Sequence, residues 1–306
     1  ALPLALHPQA RTAANVGLGS GLTSHVMLAS DSIREVDTIE IESAMVEGAR
    51  GFSPRNDNVY RDPRSRIYVE DAKTFFSSHN KRYDIIASEP SNPWVSGVSG
   101  LFTEEFYRHI KRHLNEGGLF VQWMQIYEIN PPLVASVFKA LSRHFADYAV
   151  FAPTDFDIII VARDRPLPPL SGEVFSQARL AHELERISIR TVGDLELHRI
   201  GNKRGMQPYF EGFAIPPNSD FFPVLDLNAA KARFLNVNAS DIVNLANTAV
   251  PILEMLHAAP PRSEISAGPR PWLRRAEHAR QGLTVRDYLL SGEAGQHGRV
   301  PPGLHG

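Results

Sequence analysis

No cysteine occurs in the 306 residues. Disulfides, a thiolate nucleophile and Cys-ligated metal are therefore excluded, and the redox compartment stays open, with a reducing cytoplasm compatible. No apolar run approaches the roughly twenty residues that a membrane-spanning helix requires. The opening Ala1-Leu2-Pro3-Leu4-Ala5-Leu6-His7-Pro8 is apolar but short, and has neither a basic leading region nor a cleavage pattern. Because numbering starts at Ala1 and a first strand follows almost at once, the chain is expected to be a fragment or a processed product. An excess of one charge is also missing: 32 Lys and Arg stand against 34 Asp and Glu, for a net charge of -2. Without a Lys/Arg block either, nothing provides a field for nucleic acid. There is no internal repeat. The 43% hydrophobic and 22% charged residues are ordinary for a globular chain long enough for one large core with an appendage, or two modest domains.

What is present is an alternation of strands and helices. Ala13 to Val16 reads as a short strand, Ser20 to Ser30 as a helix, Thr38 to Ile41 as a strand and Ala44 to Gly51 as a helix. Ile67 to Val69 is a third strand, followed by a helix from Ala72. Tyr83 to Ala87 is an apolar strand of the kind buried on both faces of a parallel sheet. Thr103 is placed as the N-cap of a helix that Asn115-Glu116-Gly117-Gly118 ends. Leu119 to Trp123 is then a fifth strand, Pro132 to Phe145 a helix, and Tyr148 to Phe151 with Phe156 to Ala162 an antiparallel pair. This order predicts a doubly wound, mostly parallel Rossmann-like α/β sheet with a C-terminal helical extension. Arg165-Pro166-Leu167-Pro168-Pro169-Leu170 reads as a linker, which divides the chain into residues 1–164, binding and catalytic, and 165–306. Glu173 to Ile187 and Ala239 to Leu256 are expected to be helical, and the Pro-, Gly-, Arg- and His-rich stretch from Pro260 a disordered tail.

Chemistry concentrates at the carboxyl ends of the strands. Gly17-Leu18-Gly19-Ser20-Gly21 opens a helix, and such glycines let backbone and a helix N-terminus approach a ligand. Taken alone, the turn is as well explained by a tight strand-helix corner. Glu40 follows Gly21 by nineteen positions at the end of the second strand, where a carboxylate can accept both hydroxyls of a ribose. Glu42 points the same way if that strand continues; otherwise it is a solvated strand end. Asp71 can accept from an adenine amino group or cap its helix. Glu89 lies just past the fourth strand, where open α/β sheets place ligands. Attack by an amine on a sulfonium carbon needs the neutral amine, whereas a free alkylamine has a pKa of about 10.4. A partly desolvated Glu89 can bind the ammonium and take its proton; the plainer role is a loop acid capping the downstream turn. Asn92 orients that loop, and Trp94 walls it or stacks on a cation.

Gly17 to Gly21, Glu40-Ile41-Glu42, Glu70-Asp71-Ala72, Tyr83 to Pro93 and Gly100-Leu101-Phe102-Thr103-Glu104-Glu105-Phe106-Tyr107 occur in the order and spacing of one family. Over Asn15 to roughly Ala162 the chain resembles the spermidine synthases (polyamine aminopropyltransferases), particularly a bacterial branch often fused to membrane segments. Asn218 to Leu225 is similar to a downstream element of that branch. The resemblance implies a class I adenosylmethionine-type fold. It implies transfer of an aminopropyl group from decarboxylated S-adenosylmethionine to a diamine or polyamine, without a metal. Glu40 would hold the ribose with Gly17, Gly19, Ser20 and Gly21 around the donor, and Asp71 with Ala72 the adenine. Glu89 would be the catalytic base and Asn92 would contact substrate. The expected partner is a small-molecule amine, with a homodimer left open. The setting is cytoplasmic, or the cytoplasmic domain of a membrane-fused protein. Ser20, Glu89 and Asn92 each stand where the family carries Asp. With the Gly turn beginning at residue 17, the β-rich segment that lids the family's site is expected to be missing from this chain. These departures predict weak diamine chemistry by this chain alone.

Two other readings compete. A methyltransferase acting on an amino group from intact S-adenosylmethionine fits the neutral Ser20, which leaves room for the donor's carboxylate; Ser91-Asn92-Pro93-Trp94 partly matches the Asn-Pro-Pro-aromatic loop of such enzymes. A catalytically weak nucleoside-binding homologue fits the thinned acids. His109 and His113 have a zinc-like spacing, but with no third ligand in view a solvated helix face is favoured. Ser20, Ser24 and His25 lack a nucleophile elbow. Phe75-Phe76, Phe221-Phe222 and Trp123 read as core, and Arg270 to Arg286 is too sparsely basic for nucleic acid.

Overall fold

The computed structural model describes residues 1–244. Eight strands form one sheet in the order β3-β2-β1-β4-β5-β7-β6-β8: β1 (Thr12–Val16), β2 (Glu35–Glu40), β3 (Ser65–Val69), β4 (Tyr83–Ser88), β5 (Leu114–Gln125), β6 (Asp147–Phe151), β7 (Asp157–Arg163) and β8 (Arg199–Asn202). The first five pair in parallel, and the remaining pairings are antiparallel. Strand order reverses between β1 and β4, which places a topological switch, and the crevice that goes with it, beyond Val16 and Ser88. The sheet is thus doubly wound and mostly parallel.

Helices cover both faces because the central strands are apolar on both. On one face α1 (Leu2–Leu6) and α2 (Leu22–Ala29) pack with Ile85, Ala87, Leu119 and Val121. Between β2 and β3 lie the short α3 (Ser43–Gly48) and α4 (Asp57–Arg61). On the opposite face α5 (Ala72–Ser78), α6 (Glu104–Lys111) and α7 (Pro131–Ser142) bury Phe75, Phe76, Phe106, Ile110 and Phe138 over Ile86 and Phe120. Thr103 does cap α6, accepting from the Phe106 amide at 3.3 Å, and Asn130 caps α7 through Leu133 at 3.0 Å.

The chain after Arg163 returns to both faces. Leu170 from the Pro-rich stretch, Leu180 and Leu184 from α8 (Ala178–Glu185) and Leu195 from α9 (Val192–Leu197) join the α1/α2 side. Beyond β8, α10 (Lys203–Glu211) and α11 (Val224–Phe234) bury Met206, Phe210, Leu225 and Ala229 against α7, and α12 (Asp241–Asn244) adds Ile242. The extension is therefore helical with one added strand, β8, on the sheet edge. The helix expected over Ala239 to Leu256 is represented by α12; its remainder, the tail from Pro260 and the basic stretch Arg270 to Arg286 lie outside the described residues.

Several local expectations are corrected. Asn115 to Gly118 does not terminate a helix but lies within β5, with Gly117 at φ +73° and a register shift against β4 between Tyr83 and Ile85. The stretch from Glu173 is a 3-10 turn, Gly172–Phe175, before α8 begins. Phe221 and Phe222 are 82% and 69% exposed rather than core, because Asn218 and Leu225 on either side are the buried anchors. Trp123 is half-buried. His113 is not on a solvated face. It packs on Phe76 of α5 and donates from Nδ1 to the Lys81 carbonyl at 2.9 Å. Among the described residues no cluster of His, Asp and Glu could hold a metal, and no helix is long and apolar enough to cross a membrane.

Candidate active site

Three strand ends meet at the crevice, and the turn after β1 is its centre. Gly17, Gly19 and Gly21 all adopt positive φ, at +88°, +50° and +80°. At Gly17 a side chain has no room: its Cβ would come within 2.4 Å of the Glu89 carbonyl oxygen, while the Glu89 amide donates to Val16 O at 2.8 Å. A Cβ at Gly19 would meet nothing within 4 Å, so that edge of the turn is open to a ligand. Gly21 is the N-cap of α2, with no side chain capping the helix, so its first-turn amides face the crevice unclaimed by a cap. Buried Asn56 braces the turn from behind, its amide donating to Ser20 O at 2.8 Å and Ala49 O at 2.6 Å.

Glu40 is buried and fixed. One carboxylate oxygen accepts from the Leu18 amide at 2.8 Å and the other from the Glu42 amide at 3.0 Å, tying the end of β2 to the Gly turn. Each oxygen keeps a lone pair for a further donor. Strand β2 ends at Glu40, so Glu42 does not repeat its direction. It is the exposed N-cap of α3 and accepts from Ala44 N at 3.0 Å. Asp71 likewise caps α5, accepting from the Thr74 amide at 2.8 Å and hydroxyl at 3.0 Å through one oxygen, with Ala72 buried beside it.

Glu89 sits against the first turn of α2. The Thr23 hydroxyl lies 2.8 and 2.9 Å from its two carboxylate oxygens. Burial pushes its carboxyl above the ordinary range, and the hydroxyl of Thr23 opposes that rise. Downstream, Asn92 donates from its amide to the Tyr127 hydroxyl at 3.3 Å, and the Tyr127 and Trp94 rings meet edge-on at 6.1 Å. Arg233 from α11 covers Trp94 at 5.0 Å and pairs with Glu128 at 3.4 Å. The arrangement can hold a polyol between Glu40 and the Gly turn, and present a desolvated carboxylate to a cation at Glu89.

The structure brings Gly17, Gly19, Ser20, Gly21, Glu40 and Glu89 to one crevice, with Asn92 on the adjoining loop and Asp71 and Ala72 at the next strand end. Thr23, Tyr127 and Arg233 were not anticipated. None of the three carries a local sequence signal, because packing decides which loop each side chain meets. Ser24 and His25 are structural: Ser24 bonds Thr38 at 2.7 Å, and His25 Nδ1 accepts from the Asn58 amide at 3.2 Å.

The spermine/spermidine synthase domain matches residues 1–161, and the chain belongs to that family. It is 29% identical over 151 residues to the polyamine aminopropyltransferase of Serratia proteamaculans (strain 568), covering 49% of this chain and 52% of that protein. The chain spans about half the length of the curated relatives it matches. Among solved structures, spermidine synthase from Thermotoga maritima aligns with TM-score 0.47 and 23% identity over 57% of this chain and 62% of that one. A probable spermidine synthase from Corynebacterium glutamicum ATCC 13032 aligns with TM-score 0.48 and 18% identity over 69% and 72%.

Proposed function

We propose that the crevice binds an adenosyl-sulfonium donor and transfers its aminopropyl group to an amine, with Glu89 as general base. The observation that carries this reading is the contact between the two halves of the site: Glu40 is clamped onto the Gly turn, and that turn rests on the backbone of Glu89. In this reading Glu40 accepts from the ribose hydroxyls, the open edge at Gly19 lies along the donor, and Asp71 with Ala72 borders the adenine. Ser20 lies beside the donor's amine. Glu89 binds the ammonium, takes its proton and leaves a lone pair aimed at the carbon next to the sulfonium. A C–N bond forms as the C–S bond breaks, releasing methylthioadenosine, and the proton stays on Glu89. Residues 1–164 carry every group with an assigned role, and residues 165–244 buttress them.

Glu89→Gln is expected to abolish amine transfer while leaving methylthioadenosine affinity within a few-fold. Glu40→Ala is expected to weaken nucleoside binding first. Calorimetric titration of both variants, alongside turnover with the decarboxylated donor, checks this; undiminished turnover in Glu89→Gln removes the base from the scheme. A second reading, methyl transfer from intact S-adenosylmethionine, is favoured by the neutral side chain of Ser20 beside the turn. Preference for the intact donor over the decarboxylated one would select it.

A further inference from the structure

Two loops leave the carboxyl edge of the sheet from the neighbouring parallel strands β4 and β5, and they touch. The Asn92 amide donates to the Tyr127 hydroxyl at 3.3 Å, and the Trp94 ring meets the Tyr127 ring edge-on. Trp94 is half-buried and packs against the core beneath it. Glu128, next to Tyr127, holds φ +53°. A residue with a Cβ takes that left-handed backbone at a cost, and such outliers gather where a side chain is held for binding. The two loops thus carry an aromatic face and a carboxylate together, a pairing that receives organic cations.

A cation already stands there. Arg233 of α11 has its guanidinium 5.0 Å from the Trp94 ring centre and 3.4 Å from a Glu128 carboxylate oxygen. The helix is fixed on both sides of it: Asp226 accepts from the Ser99 hydroxyl at 2.8 Å, and the Ala239 amide, just beyond α11, donates to Ile126 O at 2.8 Å. The position of Arg233 is therefore built in, but its hold is slight. Its side chain is 56% exposed, and among the described residues its guanidinium makes no hydrogen bond. Exposed ion pairs and exposed cation–π contacts are both weak. An alkylammonium, compact and with three donors, competes for the same face and carboxylate, and the Asn92 and Tyr127 oxygens on the same loops are further acceptors for it.

Resting on the reading of Glu89 as the amine-binding base, we propose that Trp94 and Glu128 form a cation subsite for the far ammonium of the acceptor, and that Arg233 occupies it as an internal competitor which the acceptor displaces. Until it is displaced, the guanidinium repels a second positive charge brought to the same place. Once displaced it turns to the solvent that already surrounds most of it. Arg233 thereby sets how strongly the site favours an acceptor with two or more charges over one with a single charge.

The test is calorimetric titration of the full chain, saturated with methylthioadenosine, by spermidine and by butylamine. Spermidine carries charges spaced along a flexible chain, so that one sits at Glu89 and another at the subsite; butylamine has one charge and engages Glu89 alone. Arg233→Gln is expected to tighten spermidine roughly fivefold to tenfold and to change butylamine less than about twofold. Arg233→Lys, which restores the charge, should bind spermidine within about twofold of the unmodified chain. Glu128→Gln added to Arg233→Gln should remove most of the gain. Unchanged methylthioadenosine affinity across the set shows that each variant is folded. The inference is overturned if Arg233→Gln leaves spermidine unchanged or weaker, or helps butylamine as much as spermidine. It is overturned equally if the gain survives loss of Glu128, or if spermidine binds no form of the chain. If methylthioadenosine binds none of them, the donor reading fails by itself, and the order of spermidine affinities without it still decides whether Arg233 competes.

Discussion

Burial and the Thr23 hydroxyl act in opposite directions on how Glu89 behaves with pH, the first raising its carboxyl and the second countering that rise. Thr23→Val should therefore move the acidic limb of the kcat/KM profile to higher pH and reduce turnover near neutrality, with methylthioadenosine affinity held within a few-fold. A profile that does not shift would separate Thr23 from the base. The same raised pKa bears on stability. An unfolded Glu titrates near about 4.3; because the folded value is higher, the native state is favoured by the protonated form and loses that contribution as pH rises through the folded pKa. Glu89→Gln should accordingly raise Tm at pH 8 relative to the unmodified chain and have little effect at pH 4, as thermal melts at the two values would show. Glu40 and Glu89 were legible in the sequence because each terminates an apolar strand. Thr23 was not, since which side chain of a helix meets which loop is fixed by packing rather than by local pattern. Glu42 was misread for a related reason: alternation holds only while a strand lasts, and β2 stops at Glu40.

At the scale of elements, the turn after β1 and the start of β4 hold the sheet in register at opposite ends. Gly17→Ala would force a methyl to within 2.4 Å of Glu89 O at a φ of +88°. The left-handed backbone alone costs about 1–2 kcal/mol, and displacement of the Glu89 loop adds to it. Turnover should therefore fall more than the denaturation midpoint suggests. At the far end Asp84 accepts from the amides of Arg11 and Thr12 at 2.7 and 3.0 Å and from Asn115 at 2.8 Å. Against the opposing effect of burial, these bonds hold its carboxyl below the usual range. Asp84→Asn should cost about 1–3 kcal/mol at neutral pH. The difference from the unmodified chain should shrink as pH falls below about 4, where the carboxylate begins to protonate in the unfolded chain. Urea unfolding at pH 7 and pH 3 measures both. The five parallel strands announced themselves by short apolar runs ending in the glycine turn after β1 or in acidic and polar residues. β8 did not, because Arg199-Ile200-Gly201-Asn202 has no alternation and owes its place to Met206, whose sulfur lies where a Gly201 side chain would be. Asn115 to Gly118 imitated a helix end because the same glycine that closes a helix also permits the bulge inside β5.

Over the described molecule, residues 165–244, without assigned chemistry, cover both faces of the part that has it. Leu180, Leu184 and Leu195 complete one core, and Phe210, stacked on Phe138 at 4.0 Å, with Leu225 and Ala229 completes the other. Residues 1–164 expressed alone are expected to bind hydrophobic dye and to melt without a cooperative transition, whereas Phe210→Ala in the full chain should keep the transition and cost about 3–5 kcal/mol. A sharp melt of the truncated chain would instead make the boundary at 164 one of folding as well as of function. That dependence was hidden in the sequence, where Pro166 to Leu170 looks like a break between bodies; burial of Leu170 and the Ser171-to-Ala5 backbone bond at 2.7 Å turn it into a strap. Asn218 works similarly on the other face. Its side chain reaches the carbonyls of Ser99 and Phe102 and the amide of Leu225, and its backbone joins Ser136 and Glu104. Three stretches of chain, 99–104, α7 and the start of α11, are thereby pinned at one residue, the first of them immediately downstream of the Pro90–Gly97 loop. If that loop swings to admit an amine, its pivot is confined to the few residues ahead of Ser99, Gly97 with its open flank among them, so amide hydrogens of residues 94–97 should exchange well before those of residues 102–107.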